Sequence, residues 1–299
     1  MKHLTENRPG EFTRQGGTGA AWLRLLTLAG LCLLLAVLLW RGHQSATAAL
    51  PTAASGGTNM PFVVEYPLPI ADAQPRYIIA EAPGRLWFTL PGANALGSLV
   101  VTTTVDFEFA IYPLPTAASE PHGLVLDSGN GVIWFTQLAA NRIGRFDLAT
   151  QQIDEFPLPS PGGGPTGIDL DSNGMVWVAL RDGNKVARLN PATEIIDEFP
   201  YTTDGAQFAD LAVASNNLVW LTSPPLNRLV TYNPQNGSFV NVPVTDFGLD
   251  PFPPQDIVMQ GDRPWTSAPT QNLLGRYSPS TQTFFLWYPT PESISGPLG

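Results

Sequence analysis

Glu120-Pro121-His122-Gly123 is the stretch whose residue types most suggest chemistry. An imidazole changes its charge near neutral pH, so a histidine can serve as a general base if a neighbour orients it and an electrophile stands beside the proton to be removed. Glu120 is the one such neighbour that the sequence names. The alternative reading makes His122 a polar residue at the opening of a strand, its ring packed or bonded against an adjoining loop. A second stretch, GPTGIDLDSNGMVWVALRDGNKVARL (164–189), keeps the frame of EPHGLVLDSGNGVIWFTQLAANRIGRF (120–146) but has Thr166 in place of the histidine.

Other motifs give less. Asp169-Leu170-Asp171-Ser172-Asn173-Gly174 has the outline of a calcium loop, but its twelfth position is Leu180 instead of glutamate. Asn236-Gly237-Ser238 has the form of a glycosylation sequon and equally that of a hairpin turn. The sequence contains no glycine-rich phosphate loop, Cys/His zinc cluster or nucleophile elbow.

The elements that must position His122 are written as a repeat. Trp87, Trp134, Trp177, Trp220 and Trp265 are 47, 43, 43 and 45 residues apart, and each is followed seven residues later by an asparagine: Asn94, Asn141, Asn184, Asn227 and Asn272. An aromatic-proline pair recurs at 66–67, 112–113, 156–157, 199–200 and 288–289, with Val242-Pro243 as a weak copy. Each period reads as a short apolar strand, a Gly/Asn/Ser turn, the tryptophan strand, a turn ending in asparagine, a third strand, and an outer strand closing on the proline pair. Four strands per period make a propeller blade, so an all-β propeller of four-stranded blades is expected over 62–299.

Such a sheet cannot bury both faces alone, which assigns the tryptophans to packing between blades and the asparagines to the turns. The ends do not balance: six proline pairs stand against five tryptophan strands, and SGPLG (295–299) matches SEPHG (119–123). A five-blade ring with one spare strand and a fragment of a larger ring both fit. The blade-opening positions Arg76, His122, Thr166, Ala209 and Gln255 vary while the scaffold does not, as a ligand mouth on a repeat ring would. Arg76, Tyr77 and Gln137 are the candidates for ligand contact beside His122.

Composition bounds the rest. A chain of 299 residues that is 43% hydrophobic, 13% charged and holds 30 prolines favours many short strands over long solvated helices. LLTLAGLCLLLAVLLW (25–40) follows Lys2, Arg8, Arg14 and Arg24, which predicts a cytoplasmic segment 1–24, a membrane anchor or signal peptide at 25–41 and a flexible linker at 42–61. Retention gives an extracytoplasmic, membrane-anchored body; cleavage after Ala48 gives a secreted one. The single cysteine, Cys32, lies in the apolar segment and leaves the body without disulfide or thiol chemistry. Beyond Arg41 there are 10 Lys and Arg against 23 Asp and Glu, a balance that excludes nucleic acid and anionic lipid as partners of the body.

Pro-His-Gly at 121–123, the LWFT and IWFT strands at 86–89 and 133–136, Asn-x-Ile-Gly-Arg at 141–145 and EFPLP at 155–159 together resemble the streptogramin B lyase (virginiamycin B lyase) family of β-propellers, over about residues 62–297. The resemblance implies opening of a cyclic depsipeptide antibiotic by elimination, with a histidine base and Mg²⁺ polarising the carbonyl. The family's site draws on a Glu-Pro-His-Gly at one blade opening, a second histidine at the preceding one, and a glutamate shortly after a tryptophan strand. Residues 120–123 match the first element whole, making His122 the candidate base and Glu120 the candidate Mg²⁺ ligand. Arg76 stands where the second histidine would be, and the residues three beyond each tryptophan are Leu90, Gln137, Leu180, Ser223 and Ala268, none a carboxylate. Two readings follow: a ligand-binding scaffold for a small molecule, glycan or protein with a degenerate site, and a Mg²⁺-dependent carbon-oxygen lyase.

Overall fold

The computed structural model describes residues 66–103, 106–244, 252–271 and 273–289, and these form five four-stranded antiparallel sheets. Blade 1 comprises β1 (Ile78–Ala82), β2 (Arg85–Leu90), β3 (Ala95–Val101) and β4 (Phe107–Pro113). Blade 2 comprises β5 (Pro121–Asp127), β6 (Val132–Gln137), β7 (Arg142–Asp147) and β8 (Ile153–Pro157). Blade 3 comprises β9 (Pro165–Leu170), β10 (Val176–Leu180), β11 (Lys185–Asn190) and β12 (Ile195–Pro200). Blade 4 comprises β13 (Leu211–Val213), β14 (Val219–Ser223), β15 (Arg228–Asn233) and β16 (Ser238–Pro243), and blade 5 β17 (Ile257–Gln260), β18 (Arg263–Ala268), β19 (Leu273–Ser278) and β20 (Thr283–Pro289).

The expected propeller is thus present, with each outer strand ending on its proline pair. Tyr66-Pro67 forms no strand; Tyr66, Leu68 and Ile70 pack instead against Ala73, Phe88 and Leu90 on a face of blade 1. The expected anchor at 25–41, the linker at 42–61, Asn272 and SGPLG lie outside the described residues. Among the described residues no helix is long and apolar enough to cross a membrane.

First strands of successive blades are neighbours, β1 with β5, β5 with β9, β9 with β13 and β13 with β17, so they line the centre. The tryptophan strands lie one place further out, and β6, β10 and β14 are buried along their whole length. Each of the first four tryptophans joins two blades: Trp87 meets Leu124 and Phe135, Trp134 meets Ile168 and Val178, Trp177 meets Phe208 and Leu221, and Trp220 meets Ile257 and Tyr277. Truncating such a side chain costs about 3 to 5 kcal/mol, so these contacts are the main adhesion between sheets. Trp265 in blade 5 is only partly buried.

The residues around the tryptophans follow from how closely the chains approach. Phe135 lies opposite Gly144 in the ladder, and a Cβ on Gly144 would stand 2.0 Å from the phenyl ring. Phe88 and Gly97 repeat this, whereas blade 3 pairs the smaller Val178 with Ala187. The glycine of the IGR signature is therefore the space that an aromatic across the ladder requires.

In blades 1, 2 and 4 a hydroxyl two residues after the tryptophan ties the blade to the next. Thr136 Oγ1 accepts the Gly123 N–H of its own inner strand at 2.9 Å and donates to the Thr166 carbonyl of blade 3 at 2.7 Å. Thr89 likewise accepts from Tyr77 N–H and donates to the His122 carbonyl, and Thr222 accepts from Asp210 N–H and donates to the Gln255 carbonyl. Blade 3 has Ala179 there, and a hydroxyl of the opening position itself, Thr166 Oγ1, makes a different tie to blade 4 by donating to the Phe208 carbonyl, one residue before Ala209, at 3.0 Å. Buried aspartates add a second tie: Asp169 accepts Val213 N–H at 2.7 Å and Asp210 accepts Ile257 N–H at 3.0 Å. Asp169 and Asp171, which outlined a calcium loop in the sequence, bond instead to backbone and to the Trp177 indole.

The asparagines close turns, with φ of 49° at Asn94, 55° at Asn141 and 53° at Asn184, a left-handed conformation that asparagine tolerates. Their amides also reach the loop leading to the next blade: Asn94 accepts from Ser119 N–H, Asn141 from Gly163 N–H and Asn184 from Ala206 N–H.

Thr136→Val leaves the buried Gly123 N–H and Thr166 carbonyl without this hydroxyl, and a loss of about 2 kcal/mol in urea unfolding is expected. Thr193→Val, in an exposed turn, is expected to change stability by about 0.5 kcal/mol or less in the same measurement.

Candidate functional site

The threonine ties fix which residues are equivalent at the channel. The residue before each N–H donor Tyr77, Gly123, Asp210 and Asp256 is Arg76, His122, Ala209 and Gln255, and Asp256 N–H donates to Ser267 Oγ in blade 5. These are the blade-opening positions expected from the sequence. Gly123 is required here for packing, since a Cβ on it would stand 2.6 Å from the Thr166 carbonyl. Part of the Pro-His-Gly signature therefore encodes blade contact.

His122 is 5% exposed. Its ring packs on Tyr77 with centroids 5.0 Å apart, and its carbonyl is held by Thr89. Nδ1 is buried without a hydrogen-bond partner. Burial, then the guanidinium groups of Arg76 and Arg181, push its proton affinity down to a pKa of about 3, against a backbone hydrogen bond at Thr166 that works the other way. The imidazole is neutral at every physiological pH.

Arg76 and Tyr77 therefore come together with His122, as the sequence suggested. Tyr77 shares the electrostatic space of the opposite blades: burial, then the carboxylates of Asp210 and Asp256, raise its phenol well above the usual range, opposed by Arg76. Asp210 is itself raised well above the ordinary carboxylate range by burial and by Asp256, despite its two backbone N–H donors.

Glu120 and Gln137 stand apart from the imidazole chemically. Glu120 is exposed in a left-handed conformation with φ of 52°, and its carboxylate makes no hydrogen bond to His122 among the described residues. Its charge acts on Arg181. Gln137 is fully buried opposite Pro121, donates to Glu155 Oε1 at 2.7 Å, and leaves its own Oε1 unpartnered.

Arg181 is the residue that the sequence reading missed. It sits in the turn after β10, four residues beyond Trp177, and grips Asp182 with two parallel bonds of 2.9 Å. A cation in a mouth-side turn was the available signal, because every such turn is carried to the same rim by the repeat.

The residues do not suit a dedicated Mg²⁺ site. Magnesium favours carboxylate oxygens, yet the histidine is flanked by two guanidinium groups and Glu120 makes no bond to it. Among the described residues no three His, Cys, Asp or Glu side chains gather.

No family model and no curated protein matches the sequence. Among solved structures, a streptogramin B lyase is similar at 27% identity over 76% of this chain and 72% of that one, with a TM-score of 0.67. Virginiamycin B lyase from Staphylococcus aureus is similar at 27% identity over 74% and 72%, with a TM-score of 0.65. A catalytically inactive histidine-to-alanine variant of the Staphylococcus aureus enzyme, with quinupristin, is similar at 25% identity over 76% and 74%, with a TM-score of 0.66.

The buried imidazole gives a prediction with a definite sign. A folded pKa below the unfolded value of about 6.5 makes the native state prefer neutral His122, so this contribution is present above pH 6.5 and lost as pH falls towards 3. Asp169 and Asp210 have raised pKa values and act oppositely, so the comparison is with His122→Phe. Between pH 7 and pH 4 the wild type is expected to lose about 3 kcal/mol more than the variant in urea unfolding.

The blade periodicity, the IWFT, IGR and Pro-His-Gly elements at their observed positions, and the agreement with these solved structures show a β-propeller similar to the streptogramin B lyases.

Proposed function

We propose that this chain is an exported, membrane-anchored propeller that binds a ligand at its channel mouth without turning it over. The observation that carries the reading is the state of His122: buried, under the charge of two guanidinium groups, and with no partner on Nδ1 among the described residues. A general base works best with a pKa near the operating pH, and an imidazole of pKa about 3 has little drive to remove a proton from carbon.

Binding needs less. Arg76 is exposed and Arg181 half-buried at the rim, and guanidinium groups are donors suited to carbonyl or carboxylate oxygen. Tyr77 adds an aromatic face. This combination suits an acceptor-rich molecule such as a cyclic depsipeptide. The similar histidine-to-alanine variant, inactive yet found with quinupristin, supports the view that a scaffold of this kind holds a ligand without that histidine. The N-terminal apolar segment and its preceding basic residues support export with a retained anchor.

The second reading, a Mg²⁺-dependent carbon-oxygen lyase, is favoured by one observation, the intact Glu120-Pro121-His122-Gly123 element. Incubation of the purified protein with quinupristin and Mg²⁺ separates the two. Saturable binding by calorimetry, weakened about tenfold by Arg76→Ala, with no ring-opened isomer by chromatography and mass spectrometry, is the expected result. A ring-opened isomer that requires Mg²⁺ and disappears in His122→Ala would establish the lyase reading, and absence of both binding and product would exclude this ligand class.

A further inference from the structure

The end of blades 2 and 3 opposite the mouth holds a second opening. Strand β5 runs from Pro121 at the mouth to Asp127 at the far end, and there a groove of about 400 Å³ lies between the turns of the two blades. Its walls include Asp127, Asn130, Trp134, Arg145, Asn173 and Asn190.

In blades 1, 3 and 5 the tryptophan N–H has an acceptor at the end of its own inner strand, whereas blade 4 has Ala214 at that place. Four residues beyond Tyr77 in blade 1, Glu81 accepts the Trp87 indole N–H at 2.6 Å. At the corresponding place in blade 3 Asp171 accepts from Trp177 at 3.0 Å, and in blade 5 Gln260 accepts from Trp265 at 3.2 Å. Blade 2 has Asp127 there, but its carboxylate is turned away and held by the Asn130 backbone and amide at 3.2 and 2.8 Å. Trp134, 1% exposed, is left with its Nε1–H buried and unpartnered. A buried donor without a partner is destabilising, a deficit that an acceptor entering the groove would relieve.

We infer that this groove is a binding site for one neutral pyranose ring, with a ring hydroxyl accepting the Trp134 indole N–H. The chemistry of the walls selects that class. An anion would meet the Asp127 carboxylate, a cation cannot accept the indole proton, and an apolar group would leave it orphaned. Arg145 is engaged by Asp154 at 2.7 Å and lies 5.7 Å over the Trp134 ring, so it adds no free positive charge. Hydroxyls both donate and accept, which matches an indole N–H, a carboxylate and the amides of Asn130, Asn173 and Asn190. The volume lies in the range of small-ligand pockets. The inference is independent of the reading of the mouth.

Indole ¹⁵N–¹H spectra of the whole protein, titrated with glucose, galactose, mannose and N-acetylglucosamine, test it. The Trp134 resonance is the one lost in Trp134→Phe. The expected result is a saturable shift of that resonance by at least one sugar, while those of Trp87 and Trp177, which have partners, stay in place. Asn130→Ala, in an exposed turn, removes a wall amide and the bond to Asp127 Oδ2, which can then take the indole N–H as Asp171 Oδ2 does while Oδ1 keeps its backbone donor, and is expected to weaken binding about tenfold. A Trp134 resonance that none of the four sugars moves, that sodium acetate moves equally, or that shifts only together with Trp87 and Trp177 overturns the inference. Unchanged affinity in Asn130→Ala removes the indole N–H from it.

Discussion

Everything in this molecule depends on sheets that have to approach each other closely at their inner edges. A four-stranded blade exposes two apolar faces, and the tryptophan strand becomes buried only when a second blade covers it. That approach is so close that a Cβ on Gly123 would stand 2.6 Å from the Thr166 carbonyl, and buried backbone groups at such a contact need protein partners. Thr89, Thr136 and Thr222 provide them with one hydroxyl each, accepting from one inner strand and donating to the next. Gly123 removes the Cβ that would hold the strands apart.

The same constraint shapes the mouth. At His122 the backbone is committed to the blade contact, while the buried ring packs on Tyr77. Charge then links the blades, so that Tyr77 of blade 1 responds to Asp210 and Asp256 of blades 4 and 5. A histidine placed among two guanidinium groups behaves differently from one placed among carboxylates. Its chemistry is decided by residues that are distant in the chain.

This explains how far the sequence could be read. The tryptophan-asparagine spacing and the proline pairs are features of single blades, repeated often enough to rise above chance, and they located the strands and the left-handed turns. Contacts between blades left fainter marks. The tie from Thr166 to Phe208, in the blade that has Ala179 on its tryptophan strand, joins residues that share no local pattern, and the approach of Arg181 to His122 depends on the rotation from one blade to the next. Glu120 next to His122 in sequence suggested a pair, but a left-handed residue and a strand opening send the two side chains to different surroundings.

Blade 3 carries a lesson for anyone who would redesign the rim. Arg76 and Gln255 are exposed opening positions that could be randomised in a selection library, since the hydroxyls bonded to their strands come from elsewhere. Thr166 is different, because its hydroxyl is the tie to blade 4. A library that varies residue 166 in the native background would lose this tie in nearly every member, so stability and affinity would change together. Installing threonine at 179 beforehand would supply a tie at the place one holds in blades 1, 2 and 4, and turn a structural position into an adaptable one.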